Sequence, residues 1–268
     1  MVDVTSPPTR LLSIAAGVTP ELGHDPVAFV DAAIAVGWPA TGIWYDAATW
    51  TSSTTADLAR RFDESEIVPL DMEVVRMGSD ADCGEALVDV AAALGVRNIL
   101  TISSFGEVNA TVDRFGELCR GAAPAGIRVC IEFMVFTSVK TLADALHVVD
   151  QVAEPNAGIL VDLLHVVRSG TSFEEIAAVD PALFPYVQWC DGPAEPRGWD
   201  TRQIIGDALD DRLVPGRGEL GALQFSDLFP ASVPFSLEVR SKALRDAFPD
   251  PTERAAYLLA ETRAALSG

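Results

Sequence analysis

The sequence predicts an α/β protein that folds as a single (β/α)8 TIM barrel over residues 1–268. Short apolar segments alternate with segments of helical periodicity, which predicts a parallel sheet covered by helices. Eight such cycles in a chain of this length match the closed barrel. An open dinucleotide-binding sheet is disfavoured, because the first strand leads into Ala16-Gly17-Val18-Thr19 and not into G-x-G-x-x-G.

The elements follow in order along the chain. Apolar runs bounded by turn residues predict strands at 11–16, 41–45, 67–75, 98–103, 127–134, 157–163, 185–190 and 234–239. Helical periodicity falls at 26–36, 56–66, 85–94, 108–123, 141–152, 173–179 and 199–213. Asp250-Pro251, a cap followed by a first-turn proline, begins a last helix that ends near residue 266. Segment 191–200 is rich in Pro and Gly, which predicts a loop at the active-site end of the barrel.

Composition restricts the class of protein. With 49% apolar and 22% charged residues the chain is typical of a globular protein with a large core. No apolar run approaches the roughly 20 residues that span a bilayer. The N-terminus lacks the basic start and apolar stretch of a signal peptide, so we expect a cytoplasmic protein. The four cysteines form no C-x-x-C pair, and buried free thiols are the simplest interpretation.

Charge and lysine content restrict partners and chemistry. The formal net charge of −20 repels phosphate, so neither nucleic acid nor an anionic membrane is expected as a partner. Schiff-base catalysis needs a desolvated lysine amine. The only lysines, Lys140 and Lys242, lie outside the predicted strands, which disfavours lysine-dependent aldolase chemistry.

Four polar residues lie at or near the ends of predicted strands five to eight, namely Glu132, Asp162, Gln188 and Glu238. Buried carboxylates are costly unless something pairs with them, and the strand ends of a barrel meet at one face. We therefore predict one oxygen-rich site for one divalent cation. Oxygen ligands favour Mn²⁺ or Mg²⁺ over Zn²⁺, with Co²⁺ and Zn²⁺ as the alternatives. The competing interpretation pairs the two glutamates with Arg128 or Arg240.

Other candidate residues lie near strand ends. Trp44 and Trp189 either pack against loops or stack on a ring, and the stacking interpretation favours a cyclic or apolar-bearing substrate. His24 follows the first strand at the active-site face, where a functional role and a helix start are equally compatible with the sequence. Arg217 lies between glycines, which favours contact with substrate oxygens over a surface position.

Several motifs resemble the xylose isomerase-like barrel superfamily, also called the sugar phosphate isomerase/epimerase family. The similarity spans nearly the whole chain. The segments that carry it are Ile131-Glu132-Phe133, Asp162-Leu163-Leu164-His165, Val187-Gln188-Trp189-Cys190-Asp191, Pro215-Gly216-Arg217-Gly218-Glu219 and Leu237-Glu238-Val239. The D-x-x-H and P-G-x-G-E elements in this order are the most specific of them.

The resemblance implies a role for each residue. Glu132, Asp162, Gln188 and Glu238 would bind the metal, and His165 and Arg217 would contact substrate oxygens. The two glutamates would face each other across the substrate and exchange protons with it. A dication stabilises an enediolate next to a carbonyl, and carboxylates on opposite faces move the carbon-bound proton. We therefore expect a metal-dependent isomerase or epimerase of carbohydrate metabolism that acts on an α-hydroxy carbonyl, a small sugar or a cyclic hydroxy-ketone.

Two departures from the family pattern keep alternatives open. Many epimerases have histidine in place of Gln188, whereas hydroxypyruvate isomerase-like and 3-dehydroshikimate dehydratase-like branches have glutamine. Segment 133–138 lacks the second glutamate of several epimerases, which disfavours ketose 3-epimerase activity. A dehydratase or lyase with the same enolate chemistry is the first alternative, and a non-catalytic ligand-binding barrel or partner subunit is the second.

The DNA-repair branch of the superfamily needs many histidines, and this chain has three, so a DNA-repair enzyme is not expected. Barrels of this family often form homo-oligomers.

Overall fold

The eight strands form a closed parallel barrel in the order β1 to β8, as the sequence predicts. A computed structural model describes residues 10–267. The strands are β1 Leu12–Ile14, β2 Ala40–Trp44, β3 Val68–Met77, β4 Asn98–Ser103, β5 Arg128–Glu132, β6 Ala157–Asp162, β7 Val187–Trp189 and β8 Phe235–Leu237. Strands β1 and β8 close the barrel through the register Ser13 to Ser236.

The α-helices cover the outside of the barrel or follow the strand ends. They are α1 Pro26–Val36, α2 Ser52–Glu64, α3 Gly84–Leu94, α4 Val108–Ala122, α5 Leu142–Val152, α6 Leu163–Ser169, α7 Phe173–Ala177, α8 Thr201–Asp210, α9 Ala222–Ser226, α10 Lys242–Ala247 and α11 Pro251–Ser267. Single turns of 3₁₀ helix occur at Ala16–Val18, Pro20–Leu22, Ala123–Ala125 and Pro181–Leu183. No helix within residues 10–267 is long and apolar enough to cross a membrane.

Local signals in the sequence set where the longer helices begin and end. The Asp25 side chain accepts a hydrogen bond from the Ala28 amide, and Pro26 occupies the first turn of α1. Helix α1 ends at Gly37, whose φ of 84° is left-handed and is readily adopted by glycine. Thr141 and Asp144 form a reciprocal capping box at the start of α5.

Two apolar clusters fill the molecule. The larger cluster lies between the sheet and the helices. The smaller cluster includes one residue from each of β2 to β6 together with Tyr186, which directly precedes β7; the five strand residues are Ala40, Leu70, Leu100, Cys130 and Leu160. Because side chains alternate along a strand, these residues fill the inside of the barrel beneath its carboxyl-end face.

The structure differs from the sequence-based elements mainly after β6. Helix α6 begins directly after that strand, and Asp162 ends β6 while its side chain caps α6. The predicted helix over 199–213 is shorter, because α8 ends at Asp210 and the next residues, Asp211 and Leu213, form isolated extended bridges. The short helices α9 and α10 were not expected, whereas segment 191–200 has no helix, as predicted.

Candidate functional site

A cavity of about 370 Å³ opens at the carboxyl ends of the strands. Its apolar wall comes from side chains such as Trp44, Met134 and Phe136. Its polar lining comes from eight charged, imidazole or amide side chains, namely Glu73, Arg76, Glu132, His165, Gln188, Arg212, Glu238 and Arg240. Three of the four predicted metal ligands therefore line one cavity, and the fourth, Asp162, lies just beneath it.

Glu132, Asp162 and His165 form a compact cluster. One ligand atom from each lies within 4.8 Å of the others, and all three side chains are buried. The Glu132 Oε1 atom is 3.8 Å from His165 Nε2. The strand order explains this meeting, because β5 and β6 are neighbours and α6 starts at once after Asp162. The structure thus adds His165 to the candidate metal-binding group, whereas the sequence suggested only a substrate contact.

Asp162 is held firmly from two sides. Its Oδ1 atom accepts hydrogen bonds from the amides of Leu164 at 2.8 Å and His165 at 3.4 Å. Its Oδ2 atom accepts one from Arg212 Nη1 at 2.6 Å. Since each carboxylate oxygen carries two lone pairs, Oδ2 can accept from Arg212 and still coordinate a cation. Arg212 is buried, and its Nε donates to the Ala208 carbonyl at 2.9 Å.

The two predicted acid/base glutamates are buried and have raised pKa values. For Glu132, burial raises the pKa well above its usual range and Asp162 adds to the shift, while Arg212 opposes it. For Glu238, burial raises the pKa, and Arg212 and Arg240 oppose the shift. Burial therefore disfavours the ionised form of both groups in the metal-free protein.

Glu238 packs against the backbone that follows β1. A Cβ atom at Gly17 would lie 2.5 Å from Glu238 Oε1, so the glycine makes room for this carboxyl group. The other oxygen, Oε2, is buried and has no hydrogen-bond partner within residues 10–267. An orphaned buried carboxyl oxygen is costly, so it marks a position where a ligand would be favourable.

His165 is neutral at physiological pH. Burial lowers its pKa to about 4, against the opposing effect of Asp162. A neutral imidazole can coordinate a cation through a ring nitrogen. Its Nδ1 atom is buried and has no hydrogen-bond partner in the described part of the chain. Phe136 packs edge-on against the ring, with centroids 5.7 Å apart, and fixes its plane.

These residues fit a divalent cation. Glu132, Asp162 and Glu238 supply hard oxygen donors, and the neutral His165 adds a nitrogen. Gln188 is buried in the same lining. It lies on β7 directly opposite Asp162 of the neighbouring strand β6. The neutral imidazole suits a bound cation, and the orphaned Glu238 oxygen belongs to the same cavity but lies outside the three-residue group within 4.8 Å.

Three sequence-predicted site residues lie away from the cavity lining. Trp189 is fully buried, and its Nε1 donates to the Ala222 carbonyl at 2.9 Å. Arg217 is 67% exposed and pairs with Glu261 at 2.7 Å. The side chain of His24 is 83% exposed and lies 3.7 Å from Asp46. Trp44, by contrast, lines the cavity as the stacking interpretation requires.

The Pro215-Gly216-Arg217-Gly218-Glu219 motif holds two loops together in this structure. Asp191 accepts hydrogen bonds from the amides of Gly216 at 3.0 Å and Leu220 at 2.9 Å. A Cβ atom at Gly218 would lie 2.4 Å from the Gly192 carbonyl oxygen, so only glycine permits this approach. The motif therefore shapes the loop after β7, while its arginine points toward α11.

Sequence reasoning missed Glu73, Arg76 and Arg212. Burial raises the pKa of Glu73 well above its usual range, and Glu238 adds to the shift. The sequence signal for it was an acid inside a predicted strand, in Leu70-Asp71-Met72-Glu73-Val74. Arg212 follows Asp210 and Asp211, so the sequence around it gave no signal of a buried position.

The chain belongs to the xylose isomerase-like TIM barrel family, whose model matches residues 35–256. No curated protein sequence matches the chain. Among solved structures, a xylose isomerase-like TIM barrel/4-hydroxyphenylpyruvate dioxygenase fusion protein is similar, with 21% identity and a TM-score of 0.76. The match covers 97% of this chain and 44% of the fusion protein, so the chain spans less than half of that protein's length.

Three shorter proteins match over nearly their whole length. The IolI protein with a bound zinc atom is 19% identical with a TM-score of 0.75, covering 95% of this chain and 96% of IolI. D-Psicose 3-epimerase from Clostridium cellulolyticum H10, solved with D-tagatose, is 15% identical with a TM-score of 0.70, covering 96% and 99%. The probable 3-DHS dehydratase AsbF from Bacillus anthracis is 16% identical with a TM-score of 0.69, covering 92% and 98%. At these identities the likeness establishes the fold.

Proposed function

We propose that the protein is a divalent-metal-dependent isomerase or epimerase that moves a proton next to a carbonyl group. The observation that carries the proposal is the burial of Glu132 and Glu238 in one cavity with the Asp162 and His165 cluster. The zinc in IolI and the epimerase among the structural neighbours support it. Glu132, Asp162, Gln188 and Glu238 would hold the cation, and His165 stands close enough to join them or to contact substrate.

The two glutamates have the properties that proton transfer on carbon requires. A divalent cation at this site would polarise the substrate carbonyl and stabilise negative charge on its oxygens. One glutamate, ionised, takes the proton from the carbon, and the other, protonated, delivers a proton to the neighbouring carbon or oxygen. Arg212 donates a hydrogen bond to Asp162 and balances its charge.

A dehydratase or lyase is the second candidate, and Glu73 favours it. This third cavity glutamate has a buried Oε1 atom without a hydrogen-bond partner within residues 10–267. Burial and the neighbouring Glu238 raise its pKa, which favours its protonated form. A carboxylic acid beside an enolate can protonate a departing hydroxyl group. The AsbF neighbour supports this alternative.

The first experiment is elemental analysis combined with proton exchange. The purified protein is expected to contain about one divalent metal per chain, and the Glu132→Gln/Glu238→Gln double variant is expected to lose it. In D₂O the parent should exchange the α-proton of 2-hydroxycyclohexanone or D-fructose, followed by proton NMR. Each single glutamine variant should lower that rate roughly 10²- to 10⁴-fold. Glu253→Gln, at an exposed position on α11, is the matched control.

The products separate the candidate reactions. An isomerase or epimerase gives a product of the same composition that carries solvent deuterium at the reacting carbon. A dehydratase gives a product that has lost water, and Glu73→Gln should then reduce water loss more than proton exchange. A parent protein that binds no metal after incubation with Mn²⁺ and exchanges no proton would contradict the enzyme proposal. It would favour a ligand-binding barrel instead.

A further inference from the structure

Two arginines in the cavity lack an anionic partner. Arg76 on β3 and Arg240, two residues after Glu238, line the cavity and are partly buried. Neither forms an ion pair within 4.0 Å in the part of the chain from 10 to 267. The Arg240 Nε atom is buried and has no hydrogen-bond partner there. In a chain of net charge −20, a partly buried guanidinium without an ion-pair partner is energetically costly unless a ligand binds it.

The other arginines of the described chain are accounted for. Ten of them form ion pairs, namely Arg60, Arg61, Arg114, Arg120, Arg168, Arg197, Arg212, Arg217, Arg245 and Arg254. Arg10 and Arg128 donate to main-chain carbonyls. Arg97, Arg202 and Arg263 are exposed to solvent. Arg76 and Arg240 are thus distinguished by being partly buried, unpaired and turned to the cavity.

On the basis of the proposed function, the charges of the metal site are balanced without Arg76 and Arg240. With a dication present, the charges of Glu132, Asp162 and Glu238 are balanced by the cation together with Arg212. Even with Glu73 ionised, its single negative charge would balance only one of the two arginines. Arg76 and Arg240 then give the cavity a positive charge that only a ligand can neutralise.

Most of the remaining lining is apolar. Leu100, Ile102 and Phe136 face the cavity on one side, and Ile205 and Leu209 of α8 face it on another. A small polyol would leave these surfaces in contact with water. A ligand with an apolar ring or chain would cover them and remove them from water, which favours binding.

We propose that the substrate carries a carboxylate group on an apolar ring or chain, and that Arg76 and Arg240 hold this carboxylate while the glutamates act on the α-hydroxy carbonyl. A planar guanidinium matches the two oxygens of a carboxylate. The formal net charge of −20 repels a phosphate dianion more than a carboxylate monoanion. Gly17 helps to place Arg240, because a Cβ atom there would lie 3.0 Å from Arg240 Cδ.

Binding of three benzene derivatives tests the proposal. Benzoate carries the carboxylate, benzamide is its uncharged match, and phenyl phosphate carries the alternative anion. Affinity is measured by ligand-observed NMR and calorimetry on the full-length chain, once with EDTA and once with saturating Mn²⁺. The variants are Arg76→Gln, Arg240→Gln and Arg240→Lys, with the exposed Arg97→Gln as the control. Circular dichroism and thermal melting check that each variant is folded.

We expect benzoate to bind the parent better than benzamide or phenyl phosphate, with and without metal. Loss of one charge-assisted hydrogen-bond donor should weaken benzoate roughly tenfold or more in each glutamine variant. Arg240→Lys should retain part of the affinity, and Arg97→Gln all of it. If benzoate fails to bind at millimolar concentration, or binds no better than benzamide, the proposal is overturned. Tighter binding of phenyl phosphate overturns it in favour of a phosphorylated substrate.

The binding measurements with EDTA and with Mn²⁺ separate this proposal from the proposed function. If benzoate binds only with Mn²⁺ and the arginine variants leave its affinity unchanged, the carboxylate is a metal ligand and the arginine proposal fails while the metal site stands. If the parent binds no metal yet shows arginine-dependent benzoate binding, the proposed function fails and the carboxylate site stands.

Discussion

At the scale of single residues, Arg212 connects the cavity to the candidate metal ligands. Its guanidinium is buried and contacts Asp162 Oδ2 at 2.6 Å and Cys190 Sγ at 3.4 Å. A buried ion pair is only weakly stabilising as a whole, but removal of one partner leaves an uncompensated charge. Arg212 therefore does in the absence of metal what a cation would do for Asp162 in its presence.

We predict that Arg212→Met destabilises the metal-free protein by about 3–5 kcal/mol, because Asp162 is left buried without its guanidinium partner. Saturating Mn²⁺ should recover part of this loss, since the cation then neutralises the same carboxylate. Urea unfolding with EDTA and with Mn²⁺ measures both values. Arg197→Met is the control, because its ion pair with Asp211 has the arginine 78% exposed. It should change stability by less than about 1 kcal/mol. An equal loss of stability with EDTA and with Mn²⁺ would contradict the interpretation that Arg212 and the cation neutralise the same carboxylate.

Elementary strand geometry decides which residue-level predictions the sequence could support. Gln188 and Trp189 are neighbours on β7, so their side chains point to opposite faces of the sheet. With Gln188 in the cavity lining, Trp189 must lie among the helices, and period-two alternation alone predicts this. Arg212 and Arg240 could not be placed this way, because loops after β7 and β8 carry them.

At the scale of elements, α8 forms one wall of the cavity and is tied to the barrel by a buried ion pair. Ile205, Ala208 and Leu209 of α8 line the cavity. Arg168 at the end of α6 contacts Asp207 of α8 through Nε at 2.7 Å. The same guanidinium donates to the carbonyls of Pro193 and Ala194, so it also holds the loop after β7.

We predict that Arg168→Leu loosens α8 and the loop that precedes it. The variant leaves Asp207 buried without a partner and frees two carbonyls, so both segments should open more often. Hydrogen–deuterium exchange with mass spectrometry should show faster exchange in peptides covering about 191–210 and unchanged exchange in β4 and β5. Arg60→Leu, at an exposed i,i+4 pair on α2, is the control. A uniform rise in exchange across the barrel would mean that Arg168 acts on global stability alone.

The sequence predicted strands and long helices well, and short helices poorly, for a physical reason. Buried parallel strands appear as continuous apolar runs, and the longer amphipathic helices repeat over several turns. Helices α6, α9 and α10 have seven, five and six residues, which is too short for a periodic pattern. Tertiary contacts decide such segments, for example the cap that Asp162 gives to α6.

At the scale of the whole molecule, the charge distribution is uneven. The formal charge of −20 assumes that every acid is ionised. Inside the barrel, burial raises the pKa of Asp71 to about 7, with Glu238 adding to the shift. Glu73, Glu132 and Glu238 are raised as well, chiefly by burial. The metal-free folded protein therefore carries less negative charge at neutral pH than its composition states, and it binds more protons than the unfolded chain.

The last prediction follows from this proton balance. When the folded-state pKa of an acid exceeds the unfolded value, its contribution to stability is complete below the unfolded pKa and is lost as pH rises through the folded pKa. For Asp71 that interval runs from about pH 4, the ordinary aspartate value, to about pH 7. The metal-free protein should thus be more stable to urea near about pH 5 than near about pH 8, in contrast to proteins whose acids are ion-paired.

Asp71→Asn should make this pH dependence shallower and should stabilise the protein by a few kcal/mol at about pH 8 relative to the parent. Both Asp71 oxygens are buried and lack hydrogen-bond partners within residues 10–267, so the neutral amide costs little in lost contacts. Asp89→Asn, at an exposed position on α3, should leave the slope unchanged. Mn²⁺ should also weaken the dependence of stability on pH, because a cation favours ionised Glu132 and Glu238. A parent protein whose stability rises from about pH 5 to about pH 8 with EDTA would show that its interior acids are ionised.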